Sequence, residues 1–112
     1  MVLGLTDAEL LLAVHVRLVL AEDAPLLPSP DTEVWKRRLH YLWRDVDAAL
    51  SLFQLTRYTT GELLSRCDGA QWARTGMFGG SPTSVAALVE RAASSDQVQT
   101  ARVTAMRDAL GR

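Results

Sequence analysis

The sequence predicts an all-α fold, a small helical bundle in a single domain spanning residues 1–112. Two long stretches repeat apolar residues at helical spacing, a third begins at a Ser-Pro pair, and no run alternates apolar and polar residues with period two. A chain of 112 residues has room for one core. Its 48% hydrophobic and 22% charged content is that of a globular chain rather than a disordered one.

The first helix is expected to start at Thr6, because Thr6-Asp7-Ala8-Glu9 has the form of a capping box, and to run to about Glu22. Ala8, Leu12, His15 and Val19 form its central stripe. Leu10, Leu11, Val14, Leu18 and Leu20 spread apolar character over most of its other sides, so it needs cover from more than one neighbour. Three prolines between Ala24 and Asp31 make that stretch a linker without regular structure. Asp31 is placed to cap a short helix holding Trp35, Leu39 and Tyr41.

A second long helix is expected from about Asp45 to Cys67, with the stripe Val46, Ala49, Phe53, Thr56, Thr60, Leu63, Leu64 and Cys67. Residues 68–81 read as a short helical turn followed by a loop. The run Gly76-Met77-Phe78-Gly79-Gly80 is no phosphate loop, since it lacks the lysine and follows no strand. Ser81 followed by Pro82 at the first helical position starts the last helix, which is expected to reach Leu110.

On that last helix, at 100° per residue, Val85, Leu88, Val89, Ala92, Val103, Met106 and Leu110 share one face. Gln99 lies near the centre of the face, and Ser95 and Asp96 lie at its edges. A polar group in an apolar stripe costs roughly 1–3 kcal/mol if left without a partner. Either neighbouring helices or water satisfy these residues, or they mark an altered ligand site. Two ligands to one metal can stand four apart on a helix face. Serine and glutamine are nevertheless poor ligands for metals that prefer imidazole or thiolate.

A net charge of -1 leaves no electrostatic footprint for nucleic acid or an anionic membrane, and Lys36, Arg37 and Arg38 read as a solvated helix face. Cys67, the single cysteine, excludes an internal disulfide and fits a reducing compartment. It reads as a half-buried thiol closing a helix rather than as a nucleophile. The N-terminal segment lacks a basic region before its apolar run, and Leu10 to Leu20 is interrupted by His15 and Arg17. A cytoplasmic location is therefore expected.

Several segments together resemble the DinB-like superfamily of metal-binding four-helix bundles, which includes thiol-dependent S-transferases. Leu5-Thr6-Asp7-Ala8-Glu9 is similar to the family's His-Leu-x-Asp-x-Glu segment, and Leu20 to Pro25 to the Leu-Ala-Glu-Asp-Asn-Pro of one branch. Asp31 to Trp35, Trp72 to Gly76, and Ala92 to Val103 follow in the family's order. The resemblance implies a divalent metal held by three histidines, at positions that fall here on Gly4, Ser95 and Gln99. None is histidine, so no metal and no cofactor are expected. His15 lies eleven residues past Gly4, about 16 Å along the axis, and cannot replace the lost ligand. His40 reads as partly exposed.

By the same resemblance the family's first helix is missing, which implies a groove beside the apolar first helix of this chain. A second copy is the expected cover, giving a homodimer formed through that helix. The functional expectation is a metal-free, non-catalytic DinB-like bundle that acts by self-association or protein interaction. The alternative is a small-molecule site in the remnant metal pocket, with Ser95, Asp96, Gln99 and Trp72 as polar groups. A divergent metal-dependent thiol transferase ranks last.

Overall fold

The computed structural model describes residues 2–94; Ser95, Asp96, Gln99, Val103, Met106 and Leu110 lie outside them. In chain order the elements are α1 (Val2–Ala21), α2 (Thr32–Arg38), a 3-10 turn (Tyr41–Trp43), α3 (Val46–Ser65), α4 (Gly69–Trp72), β1 (Thr75–Phe78), β2 (Ser81–Ser84) and α5 (85–94). The helical class expected from periodicity holds. α1 and α3 form the principal helix pair. Their polar ties advance together along both helices: Thr6 to Ala49, Glu9 to Arg57, and Arg17 to Thr60. The two helices therefore run parallel, and residues 22–45 carry the chain back to the starting end.

The first helix begins four residues earlier than the capping pattern suggests. Thr6 is fully buried inside α1, where its hydroxyl oxygen lies 3.0 Å from the Val2 carbonyl and 2.8 Å from the Ala49 carbonyl of α3. Its oxygen is thus spent on the helix contact rather than on capping amides. Of the expected stripe, His15 and Val19 are buried and Leu12 half-buried, and Ala8 alone is exposed. Burial also reaches Leu3, Thr6, Asp7, Glu9, Ala13 and Val16, so α1 is covered on more than one side.

The Asp31 cap is as expected, its carboxylate accepting from the Glu33 and Val34 amides. α2 ends at Arg38, however, so Tyr41 opens the 3-10 turn instead of closing that helix. His40 is the junction, exposed and in the left-handed region at φ 56°. Asp45 caps α3 by accepting from Asp47 and Ala48, and α3 matches the predicted span to within two residues.

The expectation that no strand forms is corrected by the antiparallel hairpin β1–β2, which pairs Thr75 with Ser84 and Phe78 with Ser81. Each strand has four residues, too few for a period-two pattern to register. Its signal is the turn: Gly79 and Gly80 take φ 60° and 82°, the pair of positive values that a two-residue hairpin loop requires. Consequently Ser81-Pro82 does not start a helix. Ser84 does, its hydroxyl accepting from the Ala87 amide at 3.0 Å.

The proline-rich linker is tied down at both ends. Met77 donates to the Pro25 carbonyl (2.7 Å) and accepts from the Leu27 amide (2.9 Å). His15 Nε2 donates to the Pro28 carbonyl at 2.7 Å. The core gathers at this end of the molecule, where Val19, Leu27, Val85 and Leu88 are buried. Leu12, Leu18, Leu20, Leu64, Trp72, Phe78 and Val89 pack around them. Gly76 is buried here, and a Cβ on it would meet Val19 and Leu27 side chains at 3.0 and 3.1 Å.

Candidate functional site

The polar residues of α1 are where chemistry could reside. Thr6, Asp7, Glu9 and His15 are all buried. Two carboxylates on an otherwise apolar helix are costly to bury unless each is paired, and each is. Asp7 accepts a hydrogen bond from the Tyr41 hydroxyl, and Arg44 stands 3.4 Å away. Glu9 receives Arg57 in a two-pronged contact, Nη2 at 2.9 Å and Nε at 3.3 Å, with the guanidinium also over the Phe53 ring. The Tyr41 hydroxyl is pushed up to about 12, first by burial, then by its bond to Asp7 and by that group's negative charge.

These contacts join α1 to different parts of the chain. Asp7 holds the 3-10 turn, Thr6 and Glu9 hold α3, and His15 holds the linker. Among the described residues no buried side-chain nitrogen or oxygen lacks a partner. The geometry is that of fastenings rather than of groups aimed at a substrate.

Two clefts adjoin this helix. A cleft of about 220 Å³ lies between α1, α3 and α5, lined by Glu9, Leu12, Arg57, Thr60 and Gly61 and closed by Leu64, Val89, Ala92 and Ala93. A second of about 360 Å³ lies at the far ends of α1 and α3, lined by Arg17, Leu20, Ala21, Leu63, Arg66, Cys67 and Gln71. Cys67 is half-buried, and its thiol donates to the Leu63 carbonyl at 3.5 Å.

Of the residues singled out from sequence, Gly4 lies on α1, where a Cβ would meet nothing within 4 Å. Ser95, Asp96 and Gln99 lie outside the described residues. Trp72 does not line the cleft over Glu9; it packs against the Val19 and Leu27 cluster. His15 sits edge-on to Phe78 with centroids 5.5 Å apart, and His40 is exposed. Among the described residues no three His, Cys, Asp or Glu side chains converge as a metal needs. The donor set Gly4, Ser95 and Gln99 does not fit a borderline divalent metal.

The Asp7–Tyr41 and Glu9–Arg57 pairs escaped the sequence reading. Their signal in the sequence is a pair of acidic residues within an apolar helix, a pattern that also has the form of a cap. Among the described residues no helix is long and apolar enough to cross a membrane.

No protein-family model matches the chain, and no curated protein matches it. Among solved structures it is similar to YfiT from Bacillus subtilis, described as a probable metal-dependent hydrolase with an unusual four-helix bundle topology. The TM-score is 0.88 at 18% sequence identity, covering 98% of this chain and 64% of YfiT. The chain thus spans less than two thirds of the length of that protein. The superposition shows that the chain has a helical-bundle fold like that of YfiT.

Proposed function

We propose that this chain is a metal-free, non-catalytic version of the DinB/YfiT-like bundle that works by association, with itself or with another protein. The observation that carries the reading is the run of exposed apolar side chains between residues 42 and 58. Leu42 and Trp43 stand 97% and 87% exposed, and Val46, Leu52, Leu55 and Tyr58 follow on α3. Large apolar side chains exposed to this degree favour a role in contact with another surface. The donor chemistry points the same way, because glycine, serine and glutamine stand where the resemblance puts three histidines. YfiT's description as a probable metal-dependent hydrolase leans toward an enzyme, and likeness of fold alone does not carry activity across.

Elemental analysis of the purified chain after dialysis tests this. Less than about one tenth of an equivalent of zinc, nickel or manganese per chain is the expected result. One tightly held divalent ion, together with metal-dependent hydrolase or thiol-transferase turnover, overturns the reading.

A second reading has one observation in its favour, the cleft of about 220 Å³ over Glu9. A small ligand bearing a hydrogen-bond donor could reach the Glu9–Arg57 pair there. Thermal-shift screening of Arg57→Ala against the parent chain would separate the two readings. A ligand whose stabilisation disappears in the variant favours the small-molecule site.

A further inference from the structure

We propose that the cleft of about 360 Å³ at the far ends of α1 and α3 binds a free amphipathic anion, a carboxylate head carrying a short hydrocarbon tail. The site is independent of the association reading and lies elsewhere on the chain. Arg17 stands thirteen residues past Gly4 on α1, about 20 Å along the axis. The cleft is therefore remote from the position where the resemblance puts a metal ligand. Its volume falls within the range of small-molecule sites.

The polar lining of this cleft consists of donors. Arg17 Nη1 donates to the Ala13 carbonyl at 2.9 Å and to the Thr60 hydroxyl at 3.1 Å. Those two bonds use both hydrogens of that nitrogen and hold the guanidinium across the seam between α1 and α3. Its Nε and Nη2 edge has no partner among the described residues. This is the edge by which Arg57 grips Glu9, and it suits a carboxylate through two parallel bonds. The Arg66 guanidinium also has no partner among the described residues. Gln71 spends its Oε1 on the Asp68 amide at 2.9 Å, so only its side-chain NH2 remains to bind a ligand. No residue lining the cleft is acidic.

Neither arginine is taken up by the fold in the usual ways. Arg44, Arg57 and Arg74 each meet a carboxylate within 3.4 Å, whereas Arg17 and Arg66 meet none among the described residues. Basic side chains near helix C-termini commonly serve the last carbonyls. Here other groups do so: Arg74 donates to the Val19 and Glu22 carbonyls, and the Arg66 and Cys67 amides donate to the Leu63 and Leu64 carbonyls. Two positive charges lining one cleft repel each other, and an anion between them relieves that cost. The rest of the lining is apolar, from Leu20, Ala21 and Leu63. A hydrocarbon tail leaves water there while its head takes the arginines, which selects an amphipathic anion over inorganic phosphate or a neutral chain.

Octanoate is the probe, titrated into the full chain by calorimetry. A dissociation constant of about 0.1–1 mM is expected, with octanol and acetate each at least about tenfold weaker. Cys67 is the only cysteine of the chain and lines the cleft, so octanoate should slow its reaction with N-ethylmaleimide in proportion to occupancy. Arg66→Gln and Ala21→Glu alter exposed residues, and the helical circular dichroism of both should match the parent chain. Each should weaken octanoate at least about fivefold, and Arg66→Gln should leave octanol unaffected. Octanoate binding that neither variant alters, octanol as tight as octanoate, or no heat and no protection of Cys67 overturns the proposal. Capture of the chain by phosphatidylglycerol vesicles that octanoate does not displace places the anion in a membrane and overturns the free ligand. Metal analysis decides the proposed function separately and leaves this site untouched.

Discussion

Glu9 and Arg57 illustrate how one residue's environment sets its worth. The Glu9 side chain is 5% exposed and Arg57 is 44% exposed, so the arginine brings its charge in from the surface to meet a carboxylate that cannot reach water. Arg57→Ala should cost on the order of 2 kcal/mol in urea unfolding, since it strands a buried carboxylate. Replacing both partners, Glu9→Leu with Arg57→Leu, should recover part of that loss. Tyr41 supplies a pH prediction. Its hydroxyl is raised to about 12 in the folded chain, against an ordinary value near 10. The stabilisation tied to the neutral hydroxyl is complete below about pH 10 and is lost as pH climbs to about 12. Unfolding midpoints measured across that window should fall more steeply for the parent chain than for Tyr41→Phe.

At the scale of elements, the hairpin is held by close approach rather than by side-chain patterning. Gly76 lets β1 lie against α1 and the linker, where a Cβ would meet Val19, Leu27 and the Pro25 carbonyl at 3.0 to 3.1 Å. Gly76→Ala should therefore destabilise by about 1–3 kcal/mol through overpacking. Gly61, inside α3, has nothing within 4 Å of the same position. Gly61→Ala should stabilise by roughly 0.5–1 kcal/mol by favouring the helix and restricting the unfolded chain. Thermal midpoints of the two variants should move in opposite directions, which shows that position rather than residue type decides the sign.

For the molecule as a whole, the parallel pairing of α1 and α3 means that the bundle depends on its return connection. That connection is secured by Asp7 at the 3-10 turn and by His15 at Pro28. Packing and these polar ties are the sources of stability that the proposed metal-free reading relies on. Chelator treatment should leave the thermal midpoint within about a degree of the untreated value. A drop of several degrees would reveal a bound ion that stabilises the native state by mass action.

The helical class, the Asp31 cap and the span of α3 were legible in the sequence. Each follows from local chemistry: apolar residues at helical spacing, or an acidic side chain reaching amides two and three residues on. What only the tertiary structure decided is the meaning of Thr6, Asp7 and Glu9, whose pattern read as a cap. They are the inner ties of α1, because Ala49, Tyr41, Arg44 and Arg57, distant in sequence, arrive opposite them. The hairpin was equally hidden, since strands of four residues hold through backbone bonds to each other and to Pro25 and Leu27 rather than through any periodic side chain. Spacing along one helix predicts that the helix forms, whereas a side chain's role depends on what the rest of the fold sets against it.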